Sequence, residues 1–183
     1  RAVDADPDYW FSPYVLADAH FYRHEVDAFF TWAEQAMAMN PGNATALANL
    51  GGKMMWAGRV DEGMPLVLKA TTLNPRYPSW YNYFLSTGHY MRGEYEEALA
   101  AALKMDWGIA WDYVNRAVAY AQLGRTAEAR GEIKSLLEAD PDFGREVWQR
   151  FRVFNFPDER IRQFIEGLRK AGLEVSDEPP LTD

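Results

Sequence analysis

The stretch Ala44–Pro75, ATALANLGGKMMWAGRVDEGMPLVLKATTLNP, decides the fold. Leu47, Leu50 and Gly51 recur at helical spacing in its first half, Gly58 interrupts the pattern, and Val67 and Ala70 resume it before Asn74-Pro75. Apolar residues three and four apart predict amphipathic helix, glycine permits the left-handed backbone that ends one, and proline cannot continue the next. The stretch therefore predicts two helices joined by a tight turn. Asn43 is placed to cap the first, and Asp61 and Glu62 put negative charge at the positive end of the second. Pro65 removes one hydrogen bond, but close to the start of that helix the loss costs little.

The same punctuation returns along the chain. Asp6-Pro7, Asn40-Pro41 and Asn74-Pro75 follow one another at intervals of 34 residues, and Asp140-Pro141 comes 66 further on, room for two units of which one is short. The turn glycines show where the shortening falls, because Gly58 and Gly93 are 35 residues apart but Gly93 and Gly124 only 31. The expected division of a single domain, 1–183, is a repeat tail at 1–7, repeats at 8–41, 42–75, 76–108 and 109–141, capping helices at 142–173 and a flexible tail at 174–183. Arg1–Pro7 matches Gln35–Pro41 in spacing and chemistry, which predicts a piece of a longer chain with a preceding repeat. In the first unit Leu16 and Ala17 stand where Leu50 and Gly51 stand, but His24-Glu25 lacks the turn glycine and Phe29 replaces a small residue. Wider helix spacing or a shifted second helix is expected there. Ser79 is expected to cap the third unit and Asp158 the last helix. That helix carries Ile161, Phe164, Ile165 and Leu168 on one side and Arg162, Arg169 and Lys170 on the other, as a helix closing the end of a solenoid requires.

Composition narrows the function. With 48% apolar residues the chain is no disordered tail. A net charge of −8, with 19 Lys and Arg scattered among 27 Asp and Glu, argues against nucleic acid, whose phosphates need a basic face. There is no cysteine and therefore no disulfide framework or thiolate chemistry. No apolar run reaches the length of a membrane span, and no signal segment opens the chain. His20 and His24 have a spacing that can place two imidazoles on a metal, but no third ligand is fixed, and an ordinary helix surface is the stronger reading. The acidic clusters Asp61-Glu62 and Glu94-Glu96-Glu97 lie in first turns and serve the helix dipole. Gly51-Gly52 follows no strand and forms no phosphate loop. Neither a catalytic residue nor a cofactor or metal site emerges.

The units resemble tetratricopeptide repeats over nearly the whole chain, which implies an all-α, right-handed superhelical solenoid. The resemblance implies that first helices of successive units line a concave groove. Projected onto it, Tyr14, Phe21, Tyr22, Met55, Trp56, Trp80, Tyr83, Tyr90, Met91 and Trp111, with Phe11, point inward. Such aromatic and methionine rows hold apolar peptides or helices, while the alternative is that half of them are inter-repeat core. More narrowly, Leu47–Gly51, Ala57-Gly58-Arg59, Asp61–Met64, Leu123-Gly124-Arg125 and Gly167–Leu173 look like the C-terminal repeat region of bacterial adenylate/guanylate cyclase-like proteins, and similar regions follow winged-helix regulators. That resemblance implies an upstream class III cyclase or DNA-binding domain, with the repeats as regulatory module. The expected function is binding of a protein or peptide partner, without nucleic acid or membrane, in the cytoplasm, with homo-oligomerisation as the alternative and an enzymatic or metal-binding role behind both.

Overall fold

A computed structural model describes residues 10–176. The expected repeat tail at 1–7 and the tail beyond residue 176 lie outside the described residues. The four expected pairs are α1 (Phe11–Tyr22) with α2 (Val26–Met39), α3 (Ala44–Trp56) with α4 (Val60–Leu73), α5 (Tyr81–Met91) with α6 (Tyr95–Ala102), and α7 (Ala110–Gln122) with α8 (Thr126–Ala139). Two more helices follow, α9 (Phe143–Arg152) and α10 (Asp158–Ala171). The described residues contain no strand, and the fold is an all-α helical solenoid.

The turns repeat one geometry. His24, Gly58, Gly93 and Gly124 all adopt positive φ, 61°, 100°, 77° and 73°. Behind each, an N–H reaches back to the carbonyl five residues earlier: Glu25 to His20 at 3.0 Å, Arg59 to Met54 at 2.8 Å, Glu94 to His89 and Arg125 to Tyr120 at 2.9 Å. This is the hydrogen bond that ends a helix on a left-handed residue. His24 takes that conformation despite its Cβ, at a cost of about 1 kcal/mol, so the first turn is not displaced by the missing glycine. Phe29 is fully buried with its ring edge-on to Phe21 at 5.1 Å. The equivalent Gly63 lets backbones touch, since a Cβ there would sit 2.2 Å from the Gly51 carbonyl.

The capping expectations divide. Asn43 accepts from the Ala46 N–H at 3.0 Å. Ser79 does not cap α5: helix begins after Trp80, and the Ser79 hydroxyl instead accepts from the Trp107 indole at 3.0 Å. Asp158 is already helical, with Pro157 before it, and its carboxylate binds Arg152. The third unit is shortened as expected, α6 having 8 residues where α4 and α8 have 14.

First helices contact one another in series, α1 with α3, α3 with α5, α5 with α7, while each second helix packs on its own partner. The last helix closes the final pair, touching α8 as well as α7. α10 packs chiefly on α7 and crosses to α5, where Phe164 lies 4.6 Å from Tyr90. The approach depends on Gly167, whose Cβ would fall 2.2 Å from the Tyr90 hydroxyl and 3.0 Å from Val118. Its apolar stripe, Ile161, Phe164, Ile165 and Leu168, is buried.

Candidate functional site

The inner face carries a continuous aromatic row. Trp56 at the end of α3 has the Phe21 ring of α1 at 6.3 Å on one side and Tyr83 of α5 at 5.3 Å on the other, and Trp111 of α7 is 6.4 Å beyond Tyr83. The four do not hold equivalent places in the repeat: counted back from the turn residues His24, Gly58, Gly93 and Gly124 they stand 3, 2, 10 and 13 positions earlier, spacings close to whole helical turns that leave them on one face.

The ten residues expected to line the groove separate into two sets. Tyr14, Trp80, Tyr83 and Trp111 are partly exposed, and Tyr22 is 55% exposed. Phe21, Met55, Trp56, Tyr90 and Met91 are buried. Met55 is core, not lining: it packs against Gly63 of α4 and Gly88 of α5, where its sulfur would lie 2.7 Å from an added Cβ. Tyr90 lies under α10, donating its hydroxyl to the Gln163 carbonyl at 3.1 Å while Gln163 returns a hydrogen bond to the Tyr90 carbonyl at 3.2 Å. Trp80 packs its ring on Tyr81 at 4.3 Å.

One wall is charged. Lys53, only 3% exposed, donates to Asp18 of α1 at 2.6 Å, and its ammonium sits 4.7 Å from the Tyr22 ring and 5.4 Å from Phe21. A buried ammonium needs such a partner, and the aromatic faces add to it. Burial, with the Asp18 charge and Tyr22 adding to it, pushes the Tyr14 phenol up to about 12. Burial, and then the charge of Asp112, pushes the Tyr83 phenol up as well. Asp112 is itself fully buried and accepts the backbone N–H groups of Trp107 and Gly108 at 2.7 and 2.9 Å. The face therefore presents neutral phenols, indole edges and an internally compensated ion pair, a surface for aromatic and amide groups rather than for anions.

The chain's own C-terminal segment occupies part of this face. The Phe154 ring lies 5.1 Å from Trp56 and 5.6 Å from Trp111, and Phe156 lies 6.0 Å from Trp56. Between them Asn155, at φ 59°, donates from its amide to the Phe21 carbonyl at 2.7 Å and accepts from His24 Nδ1 at 2.7 Å. Pro157 rests over Gly58. Phe143 and Phe151 of α9 close on Trp111 at 5.5 and 5.1 Å.

The histidine pair does not converge. His20 pairs with Glu25 and His24 with Asn155, and among the described residues no group of three or more His, Asp or Glu is placed to hold a metal. Nor is any described helix long and apolar enough to cross a membrane. Sequence reasoning missed Asp18, Lys53 and Asn155. Lys53 alone had a signal, a single cation inside the apolar run Leu50–Trp56.

Fold and face together define a tetratricopeptide-like solenoid with an aromatic inner layer. No known protein-family model and no curated protein matches the chain. Solved structures do match. PilW, described as a widely conserved type IV pilus biogenesis factor, is similar with a TM-score of 0.65 at 19% identity, over 93% of this chain and 76% of that one. YrrB, described as a TPR protein with an unusual peptide-binding site, gives 0.63 at 17% over 93% and 88%. MamA gives 0.61 at 18% over 93% and 98%. At these identities the likeness is one of fold.

Proposed function

We propose that the chain is a non-catalytic interaction module that takes a peptide or protein segment along the aromatic inner face, as the cytoplasmic regulatory part of a larger signalling protein such as an adenylate cyclase. The observation that carries the first part is the pair of partly exposed rings Tyr83 and Trp111, on successive first helices beside Trp56, with Tyr14 partly exposed on α1. These rings are already largely covered, so closing over their exposed edges yields at most about a third of the roughly 1.5–3 kcal/mol that full burial of such a side chain is worth. Hydrogen bonds and further apolar contacts along the face supply the rest of a micromolar complex near −8 kcal/mol. The peptide-binding site named for YrrB supports the reading by analogy of fold. The signalling context rests on the motifs quoted above, Ala57-Gly58-Arg59 and Leu123-Gly124-Arg125 among them.

The test is a peptide-library screen against the intact chain, followed by affinity measurements on Tyr14→Ala and Tyr83→Ala. A tenfold or greater loss supports the groove; undiminished affinity in both variants removes it. A second reading, self-pairing through the first unit, is favoured by Phe11 and Tyr22, which are 41% and 55% exposed. A monomer in sedimentation at high micromolar concentration would dispose of it.

A further inference from the structure

We propose that Phe154-Asn155 is a resident stand-in for the ligand, and that the partner segment the groove accepts carries the same chemistry, an aromatic ring followed by a primary amide. This rests on the groove reading above and names the occupant of that site.

The subsite is built for such a pair. The ring of Phe154 enters between two indoles, 5.1 Å from Trp56 and 5.6 Å from Trp111. Next to it the end of α1 offers one acceptor, the Phe21 carbonyl, and one donor, the His24 ring nitrogen. A primary amide has a donor and an acceptor on separate atoms and satisfies both at once; a carboxylate lacks the donor, and an ammonium lacks the acceptor.

The resident pair fits without saturating the site. Asn155 holds its two partners from a turn position at φ 59°, a left-handed conformation that asparagine enters more readily than most L residues. Phe154 remains partly exposed and Val153 before it is 52% exposed. Underneath, the Trp56 indole N–H is buried with no acceptor, and an unmade hydrogen bond of that kind favours any occupant able to supply a carbonyl. Phe156 differs, because it is closed between Phe151 at 5.0 Å and Phe164 at 5.9 Å. Exchange therefore concerns the Phe154-Asn155 end of the turn and leaves α10 in place. Competition by the tethered copy lowers the apparent affinity for a partner by the fraction of time the subsite is free.

The probe is a synthetic peptide of blocked ends reproducing residues 152–157, titrated into the intact chain and into Phe154→Ala/Asn155→Ala while the indole N–H resonances of Trp56 and Trp111 are followed. The expected result is binding to the double variant at least tenfold tighter than to the parent, and none for a peptide with alanine at its Phe154 and Asn155 positions. Equal affinity for parent and variant overturns the stand-in, and no binding to the variant overturns the aromatic–amide chemistry. Either failure leaves the groove reading standing as long as library peptides still lose affinity on Tyr14→Ala and Tyr83→Ala. A second measurement needs no substitution: the backbone amide of Asn155, bonded to the Arg152 carbonyl at 2.9 Å, should be less protected from exchange than the amide of Leu50 within α3. Equal protection would mean that the turn opens only with the whole fold, and would equally overturn the proposal.

Discussion

Replacing Phe156 by alanine tests whether the C-terminal turn belongs to the inner layer in solution. The ring is 5% exposed and lies 5.0 Å from Phe151, 5.9 Å from Phe164 and 6.0 Å from Trp56, so its removal empties a site bounded by α3, α9 and α10. Truncating a buried phenylalanine costs about 3–5 kcal/mol, the lost transfer energy plus the cavity left behind. With a slope of about 2 kcal/mol per molar urea, the midpoint of unfolding should fall by roughly 1.5–2.5 M. The assay is urea denaturation followed by circular dichroism and by the summed fluorescence of the seven tryptophans, Trp56 and Trp111 among them. Val153→Ala, three residues earlier and 52% exposed, is the control and should stay within about 0.5 kcal/mol. A cost below about 1 kcal/mol for Phe156→Ala would refute the packing of residues 153–157 on the first-helix layer. A shallower, two-step transition would instead show that α9 and α10 unfold as a unit of their own.

Gly167→Ala places a methyl group against the Tyr90 hydroxyl and Val118, both buried, and should cost about 1–3 kcal/mol in the same assay. The same replacement at exposed Gly131, where an added Cβ meets nothing, should be neutral or stabilising in mid-helix. Asp18→Ala leaves the Lys53 ammonium buried without its partner and should destabilise by about 2 kcal/mol or more, whereas Lys53→Met, which removes the buried charge and keeps a side chain of similar length, should be close to neutral; an equal loss in both would refute the account of the pair. The Arg92 guanidinium, and after it the His89 ring, hold the Glu94 carboxyl below the usual carboxylate range. A depressed folded value adds stability above the ordinary carboxylate pKa of about 4.3 that is lost as pH falls through the folded value. Arg92→Ala should therefore raise the Glu94 titration seen by NMR, and the stability difference between parent and variant should fade below about pH 4; an unmoved titration would contradict this.

What the sequence determined by itself was everything carried within one repeat. The 34-residue spacing, the left-handed turn glycines, the Asn43 cap and the early end of α6 depend on neighbours a few residues away, and local hydrogen bonding settles them. His24 shows the limit of that logic, since a residue other than glycine took the left-handed position and gained Asn155 as a partner, 131 positions away. Only the tertiary structure decided what each aromatic residue does. First-helix positions looked alike in sequence, yet Met55 fills the space left by Gly63 and Gly88, Tyr90 is covered by α10, and Tyr83 and Trp111 keep an edge in solvent. The apolar stripe of α10 would suit any greasy surface, including the open end of the stack where it was expected. It packs on the last pair, α7 and α8, and reaches on towards α5, because Phe151, Phe154, Phe156 and Phe164 find Trp56, Tyr90 and Trp111 there and Gly167 lets the helix come close enough for them to meet. Ring-to-ring complementarity between segments 40 to 100 residues apart has no periodicity to read, and so the packing of the C-terminal turn on these rings was visible only once the chain was folded.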